Sequence, residues 1–274
     1  MAHFHVIAGH DEAPAYPIIH RIGVEDLKEA LKKGIDDFWA MPSQLVFLGL
    51  IYPLIGICLI PITSGENALP LLYPLVSGFA LVGPFAAIGL YEMSRRRELG
   101  LDTSWRHAFE VWRSPSIPSI LAVGFLLLAI FLGWLAMAKW LYVSFFGPTA
   151  PDSYYNFLTE IFTTSAGWNL ILLGNAIGLV FTVVCFTISA VSFPLLLDRD
   201  VGAIVAIHTS FRAVAQNPLI MGLWGLIVAA LLMLGSLPLL VGLAVVVPIL
   251  GHATWHLYRR LVEPVDGKKN AVSA

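Results

Sequence analysis

The chain has 274 residues, of which 58% are hydrophobic and 12% charged, with a formal net charge of -2 and a mean hydropathy of +0.80. Soluble domains carry roughly 25% charged residues, so a soluble fold of this size would lack the polar surface to cover itself, whereas lipid can face the surplus apolar side chains. The near-neutral charge, with basic residues mixed among acids, also argues against nucleic acid as a partner.

In chain order, residues 1–23 read as a polar N-terminal tail. It shows no basic start followed by an apolar stretch, so no cleavable secretory signal is expected. Six apolar runs follow, at Leu45–Ile62, Ala68–Tyr91, Ile117–Trp140, Trp168–Leu197, Leu219–Leu234 and Leu237–Leu257. Most approach the roughly 20 residues that a spanning helix needs. No charge separates the last two, but Gly235-Ser236-Leu237-Pro238 supplies a tight turn, since glycine permits unusual dihedrals and proline stops a helix. The expected fold is therefore an all-α polytopic bundle of six transmembrane helices over residues 24–262, with a C-terminal tail at 263–274.

The basic residues orient it. Short loops rich in Lys and Arg stay in the cytoplasm. Both termini inside the bacterial inner membrane would put Arg95, Arg96, Arg97, Arg113, Arg199, Arg259, Arg260 and Lys268 there, and leave only Lys139 outside, at a helix end where it can snorkel. Val24 and Thr103 would then be cytoplasmic, and Glu66, Asp152 and Ser236 external. Trp105, Trp112, Trp140, Trp168, Tyr91 and Tyr258 fall near the boundaries, the depth amphipathic aromatics favour. The Arg95-Arg96-Arg97 run reads as a topology determinant with anionic headgroups as neighbours.

A threefold repeat is also expected: a short cytoplasmic amphipathic helix, a proline, then a hairpin of two spans. The three leaders are Val24–Ala40 before Pro42, Thr103–Arg113 before Pro115, and Val201–Gln216 before Pro218. Val24, Leu27, Leu31, Ile35 and Phe38 mark the apolar face of the first, with Lys28, Lys32, Lys33, Asp36 and Asp37 elsewhere. Trp105, Ala108, Phe109 and Trp112 mark the second, and Ile204, Ile207, Phe211 and Val214 the third. Such helices lie in the headgroup layer or pack on their own bundle. The closing helices of the outer units share a spacing, Gly78-x5-Pro84 and Gly242-x5-Pro248, each followed by an aromatic and an Arg pair.

The stretches GVEDLKEALKKGIDDFWAMPSQLVFLGLIYPLIG and LVGPFAAIGLYEMSRRRELG resemble an uncharacterised proteobacterial inner-membrane family, domain of unknown function 2189, over nearly the whole chain. The resemblance implies location and topology and supplies no catalytic residues.

Few residues offer chemistry. His252 and His256 lie four apart on one helical face, a spacing that suits a shared metal or cofactor, but no third ligand is evident and a structural role is expected. A haem-copper oxidase core needs several membrane-embedded histidines, and His252 alone fits, so a respiratory-oxidase role is confined to an accessory subunit. His3, His5 and His10 form a weak metal-binding set in the tail. Cys58 and Cys185 sit in apolar runs with no metal or disulfide spacing. No Asp, Glu, Lys or Arg falls at mid-membrane, against proton pumping or intramembrane aspartyl proteolysis.

Helix four holds the membrane's polar content, with Asn169, Asn175, Thr182 and Thr187, and a close-packing face from Gly174 and Gly178. It is expected at the bundle's centre, as packing or as the wall of a pathway. No phosphate loop, dinucleotide fingerprint or Ser–His–acid set can be placed. The reading is thus a non-enzymatic accessory, assembly or scaffold component that needs no cofactor, partnered by lipid and by a membrane protein or its own copies. The alternative is a transporter or lipid-handling protein for a neutral or apolar substrate.

Overall fold

A computed structural model describes residues 16–41, 69–104, 107, 111–149, 151, 153–237 and 242–264. Among these the chain is all-α. The elements are α1 (Val24–Ala40), α2 (Leu69–Phe79), a 3-10 turn (Ala80–Val82), α3 (Gly83–Ala86), α4 (Ile88–Glu98), α5 (Ile117–Phe146) and α6 (Tyr154–Thr163). There follow α7 (Ser165–Ser189), α8 (Ser192–Asp198), α9 (Ala203–Gln216), α10 (Pro218–Ser236) and α11 (Leu243–Leu261). They fall into two compact units, one drawn from residues 1–48, 84–123 and 187–274, the other from 49–83 and 124–186.

In the first unit α1 lies along α11. Its start is fixed by Asp26, whose Oδ2 accepts the Gly23 N–H at 2.8 Å, and Glu25 and Asp26 complement the helix dipole. It ends at Met41, held extended (φ -127, ψ 128), the conformation imposed on a residue before proline. The buried face is Leu27, Ala30, Gly34, Asp37 and Phe38, while Val24 and Ile35 are exposed. Gly34 sets the separation: a Cβ there would stand 2.7 Å from the Ala253 Cβ and 2.8 Å from the Ile249 carbonyl oxygen. From another side Leu90 of α4 presses on Gly251, where an added Cβ would lie 2.4 Å from its Cδ1. The ends of this unit meet: Ile19 and Val262 form an antiparallel bridge, with His20 N–H donating to the Leu261 carbonyl at 2.8 Å and Glu263 N–H to that of Ile18 at 3.0 Å.

The second unit is organised by Trp134. Its Nε1–H donates to the Pro74 carbonyl at 2.9 Å, and its ring closes on two glycines. A Cβ at Gly78 would come within 2.7 Å of that ring, and one at Gly178 within 3.1 Å. Phe181 packs at 5.7 Å between ring centroids. Tyr73 Oη–H donates to Asn175 Oδ1 at 2.8 Å.

The six-span expectation is corrected here. Among the described residues, three helical stretches are long and apolar enough to cross a membrane: Ile117–Phe146, Ser165–Asp198 and Pro218–Ser236. The run Leu45–Ile62 lies outside the described residues. Ala68–Tyr91 is not one helix but α2, a 3-10 turn, α3 and the start of α4. Pro84 explains the break, because it lacks an N–H and its ring crowds the preceding turn. The last run begins later, at Leu243, and continues to Leu261, adding Arg259 and Arg260 to a helix that already holds two histidines.

Nor is a threefold repeat evident among the described residues. The second leader is not an α-helix among its described residues, which show a 3-10 turn at 111–113. The third forms α9, but its small residues Ala203, Ala206, Thr209, Ser210 and Ala213 are buried, and Ile204 and Phe211 point outward. Small side chains permit close packing, so they, not the bulky ones, took the inner face. The helix expected at the centre is also the least buried span. In its most apolar window 6% is buried, against 28% for Ile117–Phe146 and 17% for Pro218–Ser236.

Candidate functional site

The densest chemistry gathers where α1 and α4 meet α11, within the first unit. Asp37 stands at its centre, 4% exposed, because the turn of α1 that seats Gly34 against Ala253 also turns position 37 inward. Its Oδ1 accepts from Arg97 Nη1 at 2.5 Å. Its Oδ2 accepts from Ser94 Oγ–H at 2.5 Å and pairs with His256 Nε2 at 2.8 Å. Ser94 Oγ also lies 2.8 Å from His252 Nδ1, and the His252 ring hydrogen-bonds the Leu90 main chain. Ser94 and His252 are completely buried.

A second layer encloses this set. Glu98 of α4 accepts from Trp255 Nε1 at 2.9 Å and Arg259 Nε at 3.0 Å. Asp198 of α8 accepts from Tyr258 Oη at 2.9 Å. Arg260 pairs with Glu29 of α1. Arg95 pairs with Glu92 at 2.7 Å. A cleft of about 600 Å³ opens beside the set, with Asp37, His256, Arg97, Arg259 and Arg260 among its walls.

Burial acts to raise the Asp37 pKa, but hydrogen bonds from His256 and Ser94, the His256 charge and the Arg97 contact outweigh it, leaving Asp37 below the usual aspartate value. Burial pushes His252 down to about 4, against the pull of Asp37, so its imidazole is neutral at pH 7. Burial raises Tyr91, and burial followed by the neighbouring Asp198 charge raises Tyr258.

The sequence expectation that no Ser–His–acid set can be placed is qualified by this geometry. Ser94, His252 and Asp37 do come together, but in the order acid–serine–imidazole. Nucleophile activation needs serine–imidazole–acid, with the acid on the far ring nitrogen and the serine open to substrate. Here the carboxylate holds the serine proton and no surface reaches Ser94. As for metal, no group of three or more His, Cys, Asp or Glu among the described residues is arranged to hold an ion. His252 Nδ1 and His256 Nε2 are engaged with Ser94 and Asp37.

The other residues singled out from sequence lie apart from this cluster. His3, His5 and His10 fall outside the described residues. Asn169 is exposed on a shallow groove with Phe145, Leu172, Leu173 and Ala176. Gly174 faces open space. Asn175 Nδ2 donates to the Ile171 carbonyl at 2.8 Å, and Thr182 Oγ1 donates to the Gly178 carbonyl at 2.9 Å, both within α7. The Thr187 carbonyl accepts from Ser210 Oγ at 2.7 Å. Sequence reading passed over Asp37, Ser94, Arg97 and Glu98. The available signal was a carboxylate on the polar face of a leader helix beside a glycine, paired with two imidazoles one turn apart.

No curated protein and no solved structure matches the chain. The stretch read as GVEDL…PLIG falls outside the family match, which is shorter than the near-complete coverage expected, and so do Asp37, His252 and His256. Three long apolar helices and this match agree on a multi-pass integral membrane protein of unknown function: residues 72–198 match the model of a family described as a predicted integral membrane protein, DUF2189.

Proposed function

We propose that the protein is a non-enzymatic accessory or scaffold component of a membrane complex. The observation that carries this reading is the contrast between its polar and apolar parts. The central carboxylate, serine and imidazoles satisfy one another inside the first unit, with Asp37 accepting three hydrogen bonds. The apolar surface, by contrast, is open: Leu172, Leu179, Val180, Val183 and Leu226 are exposed on α7 and α10. Such surface suits lipid or the packing face of another membrane helix.

The pairing of residues 18–20 with 261–263 supports both chain ends lying on one side. The concentration of Arg95–Arg97, Arg199, Arg259 and Arg260 in the same unit supports that side being cytoplasmic, in a bacterial inner membrane. Exposed Trp112 beside exposed Arg113 suits contact with anionic headgroups. A second reading, handling of an apolar substrate, is favoured by the groove of Phe145, Asn169, Leu172, Leu173 and Ala176.

Purification in mild detergent followed by native mass spectrometry tests the choice. A stoichiometric membrane-protein partner, or a defined homo-oligomer, supports the scaffold reading. A monomer that retains a lipid or small apolar molecule, lost on Asn169→Leu, replaces it with the second.

A further inference from the structure

We propose that α1 is an acid-released strap, held on α11 and α4 through Asp37 while His252 stays unprotonated, and lifted when that imidazole takes a proton. The geometry supplies each part. α1 is a single helix whose buried side rests on α11, and its Gly34 seat makes the contact depend on close approach. One carboxylate, Asp37, serves three donors: Arg97, Ser94 and His256. Behind it, Ser94 joins His252 to the same oxygen through two short hydrogen bonds. His256 and Asp37 line the open cleft, so protons reach the chain His256–Asp37–Ser94–His252 from water.

Among the described residues, the groups facing His252 come from three helices. From α1 there is Asp37, from α4 Ser94, the Leu90 main chain and Arg97, and from its own helix His256. Helix α10, packed on α11, has no titratable side chain between Pro218 and Ser236. Asp198 of α8 is directed to Tyr258 and Arg259. A proton on His252 therefore adds a positive charge near Arg97 at a fully buried position, where the Asp37 carboxylate is already bonded three times. Lifting α1 hydrates the imidazolium and frees Asp37 together.

The sign follows from linkage. His252 has a lower pKa with the strap closed, about 4, than the ordinary 6.5 it regains when hydrated. A group whose pKa is depressed in the closed state favours closure above the higher value and loses that contribution as pH falls toward the lower one. Between about pH 7.5 and about pH 5 the open fraction should rise roughly 30-fold.

Hydrogen exchange read by mass spectrometry on the full chain in detergent, corrected for intrinsic exchange, tests this. Expected is a gain in exchange of that size over residues 24–40 at the acid pH, with residues 218–236 still protected. In His252→Gln, which keeps a neutral polar side chain, the acid response of 24–40 should fall below about 3-fold. In Asp37→Asn, residues 24–40 should exchange rapidly already at the higher pH. Exchange over 24–40 that ignores pH, an acid response unaltered in His252→Gln, or loss of protection over 24–40 and 218–236 together overturns the proposal.

Discussion

Replacing Asp37 by alanine probes the cluster most directly. The substitution removes three hydrogen bonds to a carboxylate at once, two of them from the basic side chains Arg97 and His256 at 2.5 and 2.8 Å. Breaking a buried ion pair by deleting one partner costs roughly 3–5 kcal/mol. The structure places this case at the lower end. Arg97 is 40% exposed on its side chain and can be rehydrated, and Ser94 keeps its hydrogen bond with His252 Nδ1. What remains is a largely buried His256 without its acceptor. About 3 kcal/mol corresponds to a fall in Tm on the order of 6–12 °C for a chain of this size. Asp36→Ala is the control: Asp36 is the exposed neighbour on the same helix, and an exposed substitution should stay within about 0.5 kcal/mol. Both are read by thermal unfolding in one detergent. Equal melting of Asp37→Ala and Asp36→Ala, or of Asp37→Ala and wild type, would refute the view that Asp37 ties α1 to the unit.

Gly34→Ala should destabilise by about 1–3 kcal/mol, because its Cβ would meet the backbone of Ala253 and Ile249 and force two helices apart; unchanged melting would show that α1 and α11 can separate freely. Gly178→Leu should lower stability through the Trp134 ring, whereas Gly174→Leu, which faces open space, should not, so paired melting curves separate packing from composition. Tyr258→Phe should cost about 1 kcal/mol, the net worth of the lost bond to Asp198, since Asp198 keeps Arg199 and Arg259; a loss several times larger would mean the hydroxyl orders more than that one carboxylate.

How far the sequence could be read depended on which force decided each element. Apolar length decided α5 and α10, which carry no buried charge, so composition located them within a few residues. Proline decided the C-terminal end of α1 and the start of α10, and those boundaries were also legible. At Ala68–Tyr91 hydropathy and backbone chemistry competed. Average hydropathy counts Pro84 as tolerable, whereas its missing N–H divided the segment; Pro74 stays within α2. Leu27 and Phe38 of α1 are buried as expected, but Val24 and Ile35 of that helix and the face of α9 were misjudged for one shared reason. Ranking side chains by hydrophobicity put Val24, Ile35, Ile204 and Phe211 inward. Close helix packing put Gly34, Ala30, Ala206 and Ala213 there, and in a membrane protein a bulky apolar side chain left outside has lipid to face.

The cluster was hidden by the same habit. Asp37 reads as one more charge on a solvated face until Gly34 is recognised as a seat for another helix, which rotates Asp37 by three residues' worth of turn into the contact. His252 and His256 read as an incomplete ligand pair because their partners come from helices about 160 and 220 positions away in the chain, at separations no local spacing rule can reach. Their one-turn spacing was informative all the same, since it placed both rings on one side of α11, where a single carboxylate could hold His256 directly and His252 through a serine. Asp37 accepts from His256, and Ser94 hydrogen-bonds with His252; in the strap proposed above, the chemistry of the pair is sensitivity to protons.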